Sequence, residues 1–505
     1  MRIQNTLKNG AVAMLSQLVI IITGFILRAY FINALGQEYL GLNGLFVDIL
    51  SILSVTELGI GSAITFSMYK PIYENDIETV TGLMNLYRKA YRIIGTIIFG
   101  ASILILPFIQ IFIKDYTLDL NYIRFIFMMF SVNTVLSYYL GYSRIILFAK
   151  QKNYIVLLID FIFKIILTTS QIFVLIYTKD FILYLSLTIG YTIVSNLIVR
   201  HISFKQNPFL HDTKTKVSIE MRKKIFNSIK YLSISSIISV GVFGTDRLII
   251  SSLIGITILG VYSNYSMIIQ QVQTLFVSFL NGVVASLGNL IAEGNSKKIQ
   301  DIYYIYHFSY FLIASFTSIA LYVLLTPFIV DIWLNVEYIM SDVIVAIIVF
   351  NSYLFFMRQP VWQSQTTAGI FKQFIPFSVV EFVISLTVSI IGAIQFGIIG
   401  IFLGKTIAYL VSWIGQAYIL NKHVIHDKVS KIYRKQFEYM FVTFVELFVC
   451  IFLIRFITIN HSVIAFILKG SLIFIVTSSI NIALYYRTFE FSYLRNSVLN
   501  KILKK

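Results

Sequence analysis

Long apolar runs recur from one end of the chain to the other, and polar residues gather in the short segments between them. A run of about 20 apolar residues is long enough to cross the hydrocarbon core of a bilayer as a helix. The pattern therefore predicts an all-α, polytopic membrane protein of about fourteen transmembrane helices. The predicted spans are 10–33, 42–66, 90–113, 122–148, 154–178, 181–199, 230–253, 259–290, 307–331, 342–368, 374–395, 398–420, 440–459 and 463–486.

The composition agrees with this class. Hydrophobic residues make up 58% of the 505 residues and charged residues only 12%, whereas soluble chains carry about 25% charged residues. The first run contains Arg28 and lacks a small-residue cleavage site, which predicts a retained helix rather than a removed signal peptide. Cys450 is the sole cysteine, which excludes an internal disulfide and a multi-cysteine metal site, and the six histidines show no ligand spacing.

The net charge of +17 is distributed unevenly among the connecting segments. If the N-terminus is cytoplasmic, the inside segments hold most lysines and arginines, and the outside segments hold little beyond Lys114 and Lys179. Cytoplasmic loops of membrane proteins carry this excess, so both termini are predicted to be cytoplasmic and nucleic acid is not an expected partner. The outer segments are short, such as DIWLNVEYIMSD at 331–342, so a membrane-embedded glycan polymerase or ligase is disfavoured and no enzyme activity is expected.

A weak repeat divides the chain. Arg28 lies 13 residues before Gly41 of a Leu-Gly pair, and Arg247 lies 13 residues before Gly260 of another, an offset of 219. The repeats start on the same side, which predicts two parallel six-helix lobes around a central cavity, with Arg28 and Arg247 as counterparts. The predicted parts are an N-terminal lobe at 1–204, a cytoplasmic linker at 205–229, a C-terminal lobe at 230–420, and a loop, two extra helices and a basic tail at 421–505.

Polar residues at helical spacing predict which side chains line such a cavity. The strongest stripe runs through 259–290, with Asn264, Gln271, Thr274, Ser278 and Asn281 on one face. Charged residues within membrane spans mark a polar pathway by default, and arginine binds phosphate through its planar fork. The candidates for substrate binding are Arg28, Lys164, Arg247, Arg358, Lys405, Asn264, Gln271, Asn351 and Gln365, and those for ion coupling are Asp48, Glu57, Asp160, Asp246 and Glu381.

Structural roles compete with these assignments. Serine, threonine, asparagine and glutamine often bond across membrane helices without any substrate. Asp160 and Lys164 are four residues apart, so an ion pair within one helix is an equal alternative for them. Each intramembrane arginine can instead pair with a carboxylate on a neighbouring helix, as Asp246 can with a neighbouring cation.

Two segments carry a family resemblance. LGQEYLGLNGLFVDILSILSVTELGIGSAITFSMYKPI (35–72) and NGVVASLGNLIAEGN (281–295) resemble segments of Wzx-type flippases for polysaccharide repeat units. These flippases are members of the multidrug/oligosaccharidyl-lipid/polysaccharide (MOP) exporter superfamily. The resemblance implies two six-helix bundles in a V shape, often with two added helices, in the bacterial plasma membrane. By position, Arg28 resembles the cavity arginines of lipid-linked flippases.

The resemblance also implies an activity. Such proteins move undecaprenyl-diphosphate-linked oligosaccharide from the inner to the outer leaflet by alternating access, for capsule or exopolysaccharide synthesis, alongside a polymerase and chain-length machinery. No cofactor is expected, because the sequence has no GxxxxGK[ST] nucleotide loop; proton or sodium coupling and the membrane potential are the candidate energy sources. Two alternatives stay open: a MATE-like cation-coupled drug antiporter, and a flippase for the peptidoglycan precursor or a teichuronic-type polymer.

Overall fold

A computed structural model of the chain describes residues 2–57, 60–223, 225–226, 244–293, 296–457, 459 and 461–503, with the side chains of 2–18, 55–56, 62, 278–293, 371 and 497–503 excepted. Most of the described residues are helical, and there is no strand among them. Eleven helices in these ranges are long and apolar enough to cross a membrane, which confirms the predicted all-α, polytopic class. The predicted span 230–253 falls largely on 227–243, outside the described residues.

The first compact unit comprises Met1–Gly260. Its helices are α1 (Arg2–Leu53), α2 (Ile60–Glu74), α3 (Ile77–Ile105), α4 (Leu120–Gly141), α5 (Arg144–Ala149), α6 (Asn153–Tyr177) and α7 (Phe181–Gln206). Helix α1 packs against α4 and α6, α3 against α4, and α7 against both α4 and α6. A further helical segment at 244–254 ends just before Gly255.

The second compact unit comprises Val261–Lys505. It contains most of α8 (Ile256–Glu293), then α9 (Ser296–Pro327), α10 (Asp342–Ala368), α11 (Phe371–Phe396), α12 (Ile398–Leu420), α13 (Val429–Ile454), α14 (Ser462–Tyr485) and α15 (Phe489–Leu503). The predicted lobes 1–204 and 230–420, and the linker between them, stay predictions.

The first two predicted spans are joined without a loop. Helix α1 continues from Arg2 to Leu53 and bends at Gly36, whose backbone (φ 85, ψ −172) is not helical. The structure corrects the expected loop at 34–41, because a single glycine in the left-handed region redirects the chain at this position. Gly255, at the same offset of 219 from Gly36, also has a positive φ of 151 and separates the segment 244–254 from α8.

A reciprocal contact between backbones follows both bends. A Cβ on Gly41 would lie 2.2 Å from the carbonyl oxygen of Ile256, and a Cβ on Gly260 would lie 2.2 Å from that of Gln37. Residues 37 and 256 are themselves separated by 219. The Leu-Gly pairs that revealed the repeat are therefore the points where two equivalent helices cross, since glycine lets helix backbones approach this closely.

The segment after α7 returns over one end of the first unit. Asn85 of α3 donates to the carbonyl oxygens of Asp212 (3.1 Å) and Thr215 (3.0 Å), and Arg88 donates to that of Leu210 (3.2 Å). The Thr215 hydroxyl donates to the Asp212 carboxylate and lowers the pKa of that carboxyl. The first part of the predicted linker is thus an ordered strap on α3.

In the second unit, α11 and α12 form a tight hairpin at Gly397, whose φ is 62. A Cβ on Gly400 would lie 2.0 Å from the carbonyl oxygen of Gly392, so the two helices are in backbone contact. Helices α13 and α14 are apolar apart from a few charges in their sequence. Their buried Glu446 accepts hydrogen bonds from Ser315 of α9 and Asn481 of α14 (2.6 Å), which fixes α13 and α14 to the unit.

The glycine crossing gives a stability prediction. Gly41→Ala and Gly260→Ala should each lower the stability of the protein by about 1–3 kcal/mol, because the new methyl group displaces a backbone carbonyl that cannot rotate away. Since both clashes are relieved by the same separation of helices, the double variant should cost less than the sum of the single variants. Thermal unfolding of the purified protein in detergent measures all three.

Gly24→Ala is the matched control, because a Cβ there meets nothing within 4 Å. A Gly41→Ala protein that melts at or above the temperature of Gly24→Ala would contradict the crossing.

Candidate functional site

Three of the predicted site residues in the first unit, Glu57, Asp160 and Lys164, line two cavities. The larger one, of about 930 Å³, is here called the tyrosine cavity and lies between α2, α3, α4, α6 and α7. The smaller one, of about 380 Å³, is called the lysine pocket and lies between α1, α4, α6 and α7. The tyrosine cavity is lined by Glu57, Tyr87, Tyr91, Tyr138, Arg144 and Asp160 among others, and the lysine pocket by Asn43, Ser51, Asn133, Lys164, Gln171 and Thr188 among others.

Glu57 enters the tyrosine cavity from the turn after α1. Its two carboxylate oxygens accept hydrogen bonds from the hydroxyls of Tyr91 and Tyr138. The rings of Tyr91 and Tyr138 are in edge contact at 5.3 Å, and Tyr87 packs on Tyr91 with ring centroids 4.1 Å apart. Three tyrosines from α3 and α4 thus position one carboxylate that sequence analysis assigned to ion coupling.

Asp160 is paired in the same cavity, and not with Lys164. The Arg144 guanidinium donates to both Asp160 oxygens at 2.6 and 3.0 Å and to the Asn196 side chain at 2.7 Å. The i, i+4 pair of Asp160 with Lys164 is therefore wrong. Sequence analysis overlooked Arg144, although this residue stands inside the predicted span 122–148, where a charge signals an interior partner.

Lys164 lies one helical turn further along α6, half-buried in the lysine pocket. Among the described residues it has no hydrogen-bond or ion-pair partner, and it is the one charged residue of the pocket lining. Its neighbours are neutral and polar: Gln171 donates to the Thr188 hydroxyl at 2.9 Å, and the buried Asn133 side-chain oxygen has no partner in the described part of the chain. The pocket thus presents an ammonium group among amides and hydroxyls.

The two arginines related by the repeat have different surroundings. Arg247 lies 3.3 Å from the Asp48 carboxylate, and both side chains are largely buried. Arg28 lies within electrostatic range of the Tyr184 hydroxyl. The position equivalent to Asp48 at the offset of 219 is Met267, so the repeat does not supply Arg28 with the same carboxylate. Asp246 beside Arg247 is buried, and the predicted placement of both arginines across a central cavity stays a prediction.

In the second unit, Arg358 and Glu381 form a buried ion pair. Arg358 donates to the two Glu381 oxygens at 2.8 and 2.6 Å, and the Ser412 hydroxyl donates to Glu381 at 2.6 Å. The guanidinium also lies 4.5 Å from the centre of the Tyr409 ring and 5.0 Å from that of Trp362. This arrangement ties α10, α11 and α12 together, which agrees with the ion pair given above as the alternative for Arg358; its contact with substrate stays a prediction.

The remaining candidates of the second unit are dispersed. Asn351 donates to the Phe402 carbonyl at 3.0 Å and accepts from Thr406 at 2.8 Å, which engages its amide in helix packing. Asn264 is buried and Gln271 and Gln365 are half-buried. Lys405 lies 5.9 Å from the centre of the Tyr409 ring. The side chains of Ser278 and Asn281, which complete the predicted stripe, lie outside the described residues.

Comparison with known proteins gives the fold. No family model and no curated protein sequence matches this chain. Among solved structures, it is similar to the lipid II flippase MurJ in an inward closed conformation, with a TM-score of 0.61 and 17% identity over 95% of this chain and 99% of MurJ. The chain has the fold of the MOP exporters.

Transporters of the MATE type show the same fold. An inward-facing multidrug resistance MATE family transporter of the MOP superfamily aligns with a TM-score of 0.63 and 14% identity, over 83% of this chain and 99% of the transporter. A mutant of the Vibrio cholerae MATE transporter VcmN aligns with a TM-score of 0.55 and 12% identity, over 84% and 99% of the two chains. The structural neighbours are thus transporters and a flippase, and the chain, with eleven long apolar helices among the described residues, is a multi-pass membrane protein.

The Arg358–Glu381 pair gives a second stability prediction. Arg358→Met or Glu381→Leu alone should lower stability by about 3–5 kcal/mol, because each leaves the other charge buried without its partner. The double variant should recover most of that loss, since two apolar side chains replace the whole pair. Denaturation of the purified variants measures the difference.

The same variants test the predicted contact of Arg358 with substrate. An Arg358→Met protein that keeps its full stability but loses transport would show that Arg358 serves the substrate rather than the fold.

Proposed function

We propose that this protein is a flippase that moves undecaprenyl-diphosphate-linked oligosaccharide repeat units from the inner to the outer leaflet of a bacterial plasma membrane. The observation that carries the proposal is Lys164 in the lysine pocket, which has no carboxylate partner among the described residues. Three other intramembrane cations, Arg144, Arg247 and Arg358, are paired with carboxylates of the protein.

Placing a charged side chain at the centre of a membrane helix costs about 2.5–3.5 kcal/mol of insertion free energy. An ammonium group without a counter-charge in a membrane span is therefore expected to have a function. An anionic cargo supplies the missing counter-charge when it binds. Lysine is a strong phosphate ligand as a point charge, and the amides and hydroxyls around Lys164 suit the remaining phosphate and sugar oxygens. A cationic drug would meet repulsion at this pocket.

The extent of the structural similarity agrees with a lipid-linked cargo. The match to the lipid II flippase extends over 95% of this chain and the match to the MATE transporter over 83%, although the MATE transporter has the slightly higher TM-score. The fold of a flippase thus accounts for more of this chain than the fold of a drug antiporter does.

The direction of transport follows from the sign of the charge. The interior of a bacterial cell is electrically negative, so an anion that moves outward gains about 2.3 kcal/mol per charge per 100 mV. Bare transfer of a diphosphate through hydrocarbon would cost on the order of tens of kcal/mol, which a polar, cationic path through the protein removes. Glu57 and Asp160, both in the tyrosine cavity, are the acids best placed to add proton or sodium coupling.

Lys164 is the residue to test. In cells that lack this protein, lipid-linked repeat units should accumulate in the inner leaflet, and the wild-type gene should restore their export. Lys164→Gln should reduce that export about tenfold or more, because a charge-assisted contact with phosphate is lost. Lys164→Arg should retain most of it, since the charge remains. Lys70→Gln, at an exposed surface position, is the matched control and should export normally.

The outcomes separate the alternatives. Accumulation of the peptidoglycan precursor instead would keep the flippase and change its cargo. Sensitivity to cationic dyes without any accumulation of lipid-linked glycan would favour the drug antiporter and reject the proposal.

A further inference from the structure

The tyrosine cavity has no part in the phosphate contact just described. We infer that it is a carbohydrate-binding site, which holds the sugars of the cargo while Lys164 holds the diphosphate. This inference rests on the proposed function. Both sites lie within the first unit, so the inference concerns the interior of one group of helices.

The size of the cavity is that of a site for an organic ligand. Its volume of about 930 Å³ is at the upper end of the roughly 300–1,000 Å³ of pockets for small organic ligands. The described residues hold no group of three or more metal-ligating side chains. The space therefore suits a ligand of several rings rather than a single cation.

The charges of the cavity favour a neutral, hydroxyl-rich ligand. Arg144 and Asp160 neutralise each other, and Glu57 would repel phosphate. All three keep spare hydrogen-bonding capacity: each Glu57 oxygen accepts from one tyrosine, which leaves lone pairs free, and Arg144 uses three of its five N–H groups on Asp160 and Asn196. Such partly used planar groups can each engage neighbouring sugar hydroxyls.

Aromatic rings supply the apolar surface that sugar rings need. Tyr87 and Tyr91 pack together at 4.1 Å between centroids, and Phe66 and Tyr69 of α2 are exposed at the cavity wall. Aromatic side chains combine a large apolar face with a polar edge. Carbohydrates have the same dual character, with C–H faces and hydroxyl edges, so this lining matches them.

One wall residue has an unused donor. Ser195 of α7 is only 1% exposed and lines the cavity, yet its hydroxyl has no hydrogen-bond partner in the described part of the protein. A buried hydroxyl without a partner costs free energy. A ligand hydroxyl in the cavity would satisfy it.

The lysine pocket and the tyrosine cavity are adjacent, as are the diphosphate and the first sugar of the substrate. On each of four elements, the tyrosine cavity and the lysine pocket are lined by residues three or four positions apart: Glu57 and Ser54, Tyr138 and Thr134, Asp160 and Lys164, Thr192 and Thr188. One helical turn, about 5.4 Å, therefore separates them. In the substrate the first sugar follows directly on the diphosphate, so both groups can be held at once, with the sugars toward the predicted cytoplasmic side.

The test compares two lipids on the purified full-length protein in nanodiscs. One is undecaprenyl diphosphate, and the other is undecaprenyl-diphosphate-linked oligosaccharide extracted from cells that lack this protein. Ser195→Ala should bind the oligosaccharide lipid about three- to tenfold more weakly, as expected for one hydrogen bond. Gly61→Leu, whose side chain would enter the cavity beside the Tyr87 hydroxyl, should weaken it about tenfold or more. Both should bind undecaprenyl diphosphate like the wild type.

Two matched controls keep the result specific. Ser131→Ala removes another buried, unpartnered hydroxyl of the described residues that lies outside both cavities, and Gly100→Leu adds the same side chain to an open face of α3. Both should bind both lipids normally.

Each contrary outcome has a separate meaning. Equal binding of the oligosaccharide lipid by Gly61→Leu and wild type would overturn the carbohydrate site and leave the flippase intact. Equal loss of both lipids would also overturn it, since the cavity would then not distinguish sugar from phosphate. A wild-type protein that binds neither lipid would reject the proposed function itself.

Discussion

Burying an ionised side chain inside a membrane protein costs free energy unless an opposite charge lies beside it, and this constraint determines the polar contacts in both units. Arg144 with Asp160 and Arg358 with Glu381 each join two consecutive helices, and Arg247 with Asp48 joins segments 199 residues apart. Because a buried charge without its partner is far more costly than the pair, these contacts fix which helices are neighbours and at what height they meet. Lys164 is the contrast to these pairs: no carboxylate of the described residues neutralises it, so its charge is available to a ligand.

The helices were predictable because hydrophobic run length depends only on the local cost of exposing polar backbone to lipid. The repeat at an offset of 219 was also readable, and its Leu-Gly pairs are the helix crossing. The bend at Gly36 was not predicted, because a hydropathy pattern contains no information about the φ angle of a single residue. Its repeat partner Gly255 was the available signal.

The charged residues were found by sequence, but their partners were not. Asp160 is four residues from Lys164 and sixteen from Arg144, and the tertiary fold favours the more distant arginine. Pair choice depends on the rotation and height of helices packed side by side, which a pattern within one helix does not contain. The same limit applies to Arg358 and Glu381, which were predicted separately, for substrate binding and for ion coupling, and not as a pair.

The helix crossing is reciprocal: Gly41 meets Ile256, and the equivalent Gly260 meets Gln37, which is the equivalent of Ile256. An isologous interface between two identical subunits has the same geometry. A chain that carries both segments forms this contact within itself, so the effective concentration of the two faces does not depend on how much protein the membrane holds. The symmetry is limited to the backbone, since Asp48 of the first segment faces Arg247 of the second, whereas the position equivalent to Asp48 holds Met267.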